Sequence, residues 1–139
     1  MKHPIIFYAD DDCDDRLFFK EASENIPATV LLFDNGIKLI SALCQFTPAM
    51  IFLDLNMPVK SGLEILMEIK ACEPYKNIPV IILSTASDHY SINKVRNCGA
   101  NFYIPKANSF VKLQASLEHV VKIDWNSFRP SFDDFLYKH

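Results

Sequence analysis

Residues Ala49 to Leu53 are apolar without alternation, and a carboxylate, Asp54, follows them at once in Met50-Ile51-Phe52-Leu53-Asp54-Leu55-Asn56-Met57-Pro58. A continuous apolar run of this length suits a strand covered on both faces in a parallel sheet. Asn56 favours a turn, and Pro58 cannot continue a strand ladder. Open parallel sheets bind their ligands at the carboxyl ends of their strands. Asp54 therefore stands either where such a sheet does its chemistry or, more modestly, as a cap on a turn.

The rest of the chain repeats the pattern. Ile5–Ala9 is an apolar run ending in Asp10-Asp11-Asp12, and a helix is predicted from about Asp14 to Asn25, with Leu17, Phe18 and Ala22 on its apolar face. Acidic residues at the start of that helix are favoured by its dipole. Thr29–Phe33 reads as a second strand, and Asp34-Asn35-Gly36 opens a helix carrying Ile37, Ile40 and Leu43. Ser61 and Glu64 have capping-box spacing ahead of a helix with Ile65, Leu66 and Ile69. Ile78–Leu83 is a fourth strand, and Ser87 or Asp88 caps a helix that Gly99 stops. Phe102–Ile104 is a short fifth strand, and Asn108 starts a last helix bearing Val111, Leu113, Leu117, Val120 and Val121.

Strands alternating with helices predict a three-layer α/β domain, doubly wound around a five-stranded parallel sheet of order 2-1-3-4-5. At 139 residues the chain fits one domain, read as residues 1–122, followed by an aromatic C-terminal tail, 123–139, with no separate output domain. A net charge of −3 gives no footprint for nucleic acid or an anionic membrane. No apolar run approaches the roughly 20 residues that span a bilayer, and no signal peptide is evident. Cys13, Cys44, Cys72 and Cys98 are far apart, which fits a reducing cytoplasm better than a disulfide framework. The four histidines show no ligand spacing and read as surface residues.

In that sheet order the ends of the first, third, fourth and fifth strands lie side by side. They carry Asp10 and Asp11, Asp54, Ser84-Thr85, and Lys106. Three carboxylates together repel one another unless a cation joins them, and hard oxygen ligands in a partly open site suit Mg²⁺. Beside that metal Asp54 could act as a nucleophile. The Thr85 hydroxyl and the Lys106 ammonium would answer the negative charge of a phosphoryl group. Each residue taken singly has an ordinary structural explanation, but four matches at four strand ends make coincidence a poor one.

These motifs resemble those of a response-regulator receiver domain of two-component signalling, over roughly residues 4–122. The matching stretches are Tyr8-Ala9-Asp10-Asp11-Asp12, Phe52-Leu53-Asp54-Leu55-Asn56-Met57-Pro58 with Ser61-Gly62, Leu83-Ser84-Thr85-Ala86, and Phe102-Tyr103-Ile104-Pro105-Lys106. The resemblance implies a flavodoxin-like receiver fold and a phosphoryl group accepted on Asp54 from a sensor histidine kinase or histidine phosphotransfer protein. It implies that Asp10, Asp11, Asp54 and the backbone carbonyl of Asn56 hold Mg²⁺. It also implies that Lys106 contacts the phosphoryl oxygens, and that Thr85 and Tyr103 move together as a switch. Such a protein signals to a downstream protein and catalyses only its own phosphorylation and dephosphorylation. The segment around Met67–Pro79 and the Trp-bearing C-terminus are similar to stand-alone regulators paired with cyanobacterial phytochromes.

Two features depart from the common receiver pattern. Ala107, not proline, follows Lys106, and a cis peptide there would cost about 2.5–4 kcal/mol, so the loop bears that cost or runs trans. The tail carries Trp125, Phe128, Phe132, Phe135 and Tyr137, which must fold back on the domain or pack on a second copy; a homodimer is the expectation. Other functions fit less well. A haloacid-dehalogenase-type hydrolase needs a second Asp where Asn56 stands, and a P-loop enzyme needs a glycine-rich Lys-Ser/Thr turn. A DNA-binding regulator would need more than a short, non-basic tail. The alternative in the same fold is a phosphorylation-independent pseudo-receiver, usually marked by loss of an acidic ligand, the nucleophile or the lysine.

Overall fold

The computed structural model describes residues 3–139. Its core is a five-stranded all-parallel sheet of order β2-β1-β3-β4-β5, the order expected from the sequence. The strands are β1 (Ile5–Ala9), β2 (Thr29–Phe33), β3 (Met50–Leu53), β4 (Val80–Ser84) and β5 (Phe102–Pro105). Between and after them run α1 (Cys13–Ala22), α2 (Gly36–Ala42), α3 (Gly62–Ala71), α4 (His89–Asn97), α5 (Phe110–Val121) and a short α6 (Phe132–Phe135).

The sheet separates two cores. Alternate residues of β1 divide between them, Phe7 and Ala9 on the face of α2 and α3, Ile6 and Tyr8 on the face of α1 and α5. The inner strands β3 and β4 are buried throughout, which is why they read as unbroken apolar runs. Helix starts follow the sequence signals. Asp12, Asn35, Ser61, Asp88 and Ser109 are the N-caps of α1 to α5, and Ser61 with Glu64 forms the capping box. Gly99 ends α4 with φ 102°, in the left-handed region.

Several details differ from the sequence expectation. α1 stops at Ala22, where Ser23 closes the helix by bonding back to Lys20 O, and Leu17 points to solvent while Phe19 is buried. Ile37 and Val111 are likewise exposed, and Leu39 takes the core position in α2. The two residues precede or open their helices' inward stripes, so periodicity alone assigned them to the wrong side. Ser109, not Asn108, caps α5.

The tail folds back on its own domain, across the β5 edge of the sheet. Leu136 forms a parallel bridge with Tyr103, and the Tyr137 amide donates to Tyr103 O at 2.8 Å. Phe135 is 1% exposed and packs with Tyr103 in one core, while Trp125, Phe128 and Tyr137 pack around Phe102 in the other. Arg96 Nη2 donates to Pro130 O, fastening the tail to α4. The cover that prompted the homodimer expectation is thus supplied within the chain.

Candidate functional site

The sheet register sets the site. Ala9 pairs with Leu53, so β1 and β3 end abreast and put Asp10 beside Asp54. Ser84 pairs with Pro105, so Thr85 and Lys106 leave the sheet together. The gap between β1 and β3 is the topological switch point, where chain connections diverge to opposite sides.

Asp10 is fully buried and firmly held. Its amide donates to Phe33 O, its Oδ1 accepts the Asp12 amide at 3.0 Å, and its Oδ2 accepts the Tyr8 hydroxyl at 2.5 Å. Burial, then the Asp10 charge and this hydrogen bond, raise the Tyr8 hydroxyl far above the usual phenol range, so Tyr8 stays a donor. Asp11 is exposed, and Asp54 is 5% exposed with its amide on Ala9 O. Carboxylate oxygens of Asp10, Asp11 and Asp54 lie within 4.8 Å of one another. Asn56 is exposed at the rim. Before it reaches α3 the loop makes a γ-turn at Val59, with φ 67° and Lys60 N on Pro58 O.

Lys106 reaches into the cluster from the end of β5. Its Nζ lies 2.8 Å from Asp10 Oδ2, 2.9 Å from Asp15 Oδ2 and 3.6 Å from Asp54 Oδ1. Burial alone would lower the ammonium's pKa, but the hydrogen bonds to Asp10 and Asp15 and the charges of Asp10 and Asp54 raise it above its ordinary value. The peptide to Ala107 is trans, which resolves the choice left open by the sequence. Thr85 is exposed and borders, with Tyr8, Asp15, Lys106 and Ala107, a cleft of about 610 Å³. Tyr103 is fully buried, its hydroxyl donating to Ala86 O at 2.5 Å. Of the residues singled out in the sequence, the fold gathers Asp10, Asp11 and Asp54 in one carboxylate cluster, brings Lys106 within ion-pair range of Asp10 and Asp54, and sets Thr85 on one cleft with Lys106. Sequence reasoning missed Tyr8 and Asp15, which it read as a strand residue and a helix-dipole acid.

The cluster suits a cation on chemical grounds. Burial and then the Asp10 charge push the Asp54 carboxyl up to about 6, against Lys106 and a hydrogen bond from the Asn56 amide, which lower it. One lysine therefore does not balance three carboxylates. A folded-state pKa above the unfolded 3.8 means that the folded protein binds the proton more tightly, so stability falls as pH rises from about 4 to 6 and stays lower above. We expect metal-free Asp54→Asn to melt above the parent at pH 7.5, by about 2 kcal/mol of stability, and the gap to shrink toward pH 4. Calorimetry in chelator across that range checks it; a gap independent of pH would contradict the charge explanation.

A doubly wound parallel sheet whose switch point gathers three carboxylates and a lysine is the architecture of a phosphoryl-accepting signalling domain. The model of the response regulator receiver domain family matches residues 6–118. The chain belongs to that family, the receiver domains of two-component signalling. Over 121 residues it is 31% identical to the DNA-binding transcriptional regulator NtrC of Escherichia coli, a match covering 87% of this chain and 25% of NtrC. The chain thus spans about a quarter of the length of that relative. It is 36% identical over 66 residues to the response regulator Rcp1 of Synechocystis, covering 48% of this chain and 45% of Rcp1. Among solved structures, the phosphorylated cyanobacterial phytochrome response regulator RcpA superposes with a TM-score of 0.79 at 30% identity, covering 92% of this chain and 97% of RcpA. Among the described residues no helix is long and apolar enough to cross a membrane.

Proposed function

We propose that this chain is a response regulator that accepts a phosphoryl group on Asp54 from a phosphohistidine of a sensor histidine kinase or histidine phosphotransfer protein. The observation that carries this reading is the setting of Asp54, a buried carboxylate at the end of β3 facing Asp10, Asp11 and Lys106. In the transfer an Asp54 oxygen attacks phosphorus, the P–O bond forms, the histidine N–P bond breaks, and the imidazole keeps that electron pair and regains a proton. The attacking group must be the carboxylate, which dominates above pH about 6 in the metal-free site. Asp10, Asp11, Asp54 and the Asn56 carbonyl would hold Mg²⁺, which supplies charge neutralisation for the phosphoryl oxygens. Lys106 meets the same charge from the β5 side, and Thr85 stands at the cleft mouth where its hydroxyl can donate.

Tyr103 is already turned inward and tied to Ala86. In this reading phosphorylation draws in Thr85 and the segment that carries Ala86, and Tyr103, hydrogen-bonded to Ala86, is the other half of the switch. Signalling then proceeds through contacts with a downstream protein. No observation favours the phosphorylation-independent alternative, since Asp10, Asp11, Asp54 and Lys106 are all present.

Acetyl phosphate with Mg²⁺ should add one phosphoryl group, read by intact mass, and Asp54→Ala should add none. Mg²⁺ should also raise the melting temperature by binding linkage, a response that Asp11→Ala loses. Undiminished incorporation in Asp54→Ala would sink the assignment.

A further inference from the structure

The carboxylate of Asp15 holds the Lys106 ammonium as closely as Asp10 does, at 2.9 Å against 2.8 Å, yet no step of the transfer uses it. An ammonium has three donors. Two are taken by Asp10 and Asp15, leaving one for Asp54 Oδ1 at 3.6 Å.

The two anchors are not equivalent. Asp10 Oδ2 also accepts the Tyr8 hydroxyl, and Asp10 belongs to the carboxylate cluster suited to a cation. A cation there competes with Lys106 for the same group. Asp15 lies outside that cluster. It sits in the first turn of α1, its amide fixed by the Asp12 side chain at 3.0 Å, where the helix dipole favours an anion. The Lys106 side chain is 17% exposed, and Pro105 O just before it meets His139 Nε2 at 2.7 Å, so the stem is packed and its start is held. The Lys106 amide bonds to Ser84 O, and the next peptide runs trans to Ala107 and on to exposed Asn108. Packing places the stem, but its terminal ammonium still rotates, and only the carboxylates it meets fix where it points.

We infer that Asp15 is a positioning residue, which keeps the Lys106 ammonium over Asp54 when a cation has claimed Asp10. It acts through the lysine and does not touch the transferred group. This rests on Asp54 as phosphoacceptor. A half-exposed ion pair of this kind adds little to stability, so its effect lies in rate rather than melting.

The test uses the full chain with Asp15→Ala and Asp15→Glu. With acetyl phosphate and saturating Mg²⁺, Asp15→Ala should lower the saturating rate of phosphoryl incorporation about tenfold. The half-saturating concentrations of acetyl phosphate and Mg²⁺, and the melting temperature, should stay as in the parent. Asp15→Glu should restore most of the rate. A second readout needs no transfer: with Mg²⁺ alone, the NMR order parameter of the Lys106 ammonium should drop in Asp15→Ala and recover in Asp15→Glu. A saturating rate within twofold of the parent overturns the inference whatever the order parameter does. If the parent chain takes up no phosphoryl group, the phosphoacceptor reading fails instead. Lys106 order with Mg²⁺ then judges Asp15, order lost in Asp15→Ala sustaining its anchoring role and order kept refuting it.

Discussion

Phe135→Ala should lower stability by about 3–5 kcal/mol, the range for removing a fully buried aromatic ring. The ring is 1% exposed and packs over Tyr103, itself fully buried, with ring centroids 6.4 Å apart. Its loss leaves a cavity that backbone cannot fill, because Leu136 and Tyr137 on the next positions are pinned to Tyr103 by a bridge and a hydrogen bond. Denaturant unfolding followed by the fluorescence of Trp125, the chain's one tryptophan, measures the change. Val111→Ala serves as control, since Val111 is 71% exposed and should cost under about 0.5 kcal/mol. A loss under about 1 kcal/mol for Phe135→Ala would mean that the tail does not dock as described.

Gly62→Ala should strike fold and site together. A Cβ on Gly62 would lie 2.1 Å from Asp54 O and 2.8 Å from Leu55 Cα, both backbone atoms that cannot rotate away. The Gly62 amide also donates to Leu55 O at 2.9 Å, so the start of α3 cannot back off without breaking that bond. Relief must come from moving the strand end that carries Asp54. We expect a cost of about 3 kcal/mol and at least about a tenfold loss in phosphoryl incorporation at saturating Mg²⁺. Gly36→Ala is the comparison: its Cβ meets the side chain of Ile65, so it should lower stability while leaving the site's activity near normal. Equal activity in Gly62→Ala and the parent would show that the strand end tolerates displacement.

Much of this was legible in the chain because the determinants are local. Unbroken apolar runs marked buried parallel strands, and an acid, hydroxyl or amine just beyond each run fell at the same end of the sheet whatever the detailed packing. Caps at Asn35, Ser61 and Asp88 follow from side chains bonding amides three residues on. What stayed hidden depends on distant partners. Asp15 and Lys106 meet at the site from stretches 91 residues apart in the chain, and nothing in the spacing of an acidic first turn marks one acid as special. Tyr8 looks like any strand aromatic until its hydroxyl is seen on Asp10. Lys70 is similar: its ammonium is held by Lys76 O, Ile78 O and Asn101 Oδ1, and burial depresses it to about 8, although the sequence offers only a lysine near a helix end. The tail's aromatics announced that they needed cover, but not that β5 would provide it.

That cover has a consequence for how the chain comes to be folded. Residues 135–137 leave the ribosome after everything they protect, so every nascent chain passes through a stage in which β5 is an open edge and Tyr103 lacks its lid. Domains begin to organise during synthesis, and unpaired strand edges are the features that recruit unwanted neighbours at that stage. Final closure is therefore a late step, ordered by translation itself. Until it occurs, the emerging sheet is open to association with other chains along β5, the strand that leads into Lys106.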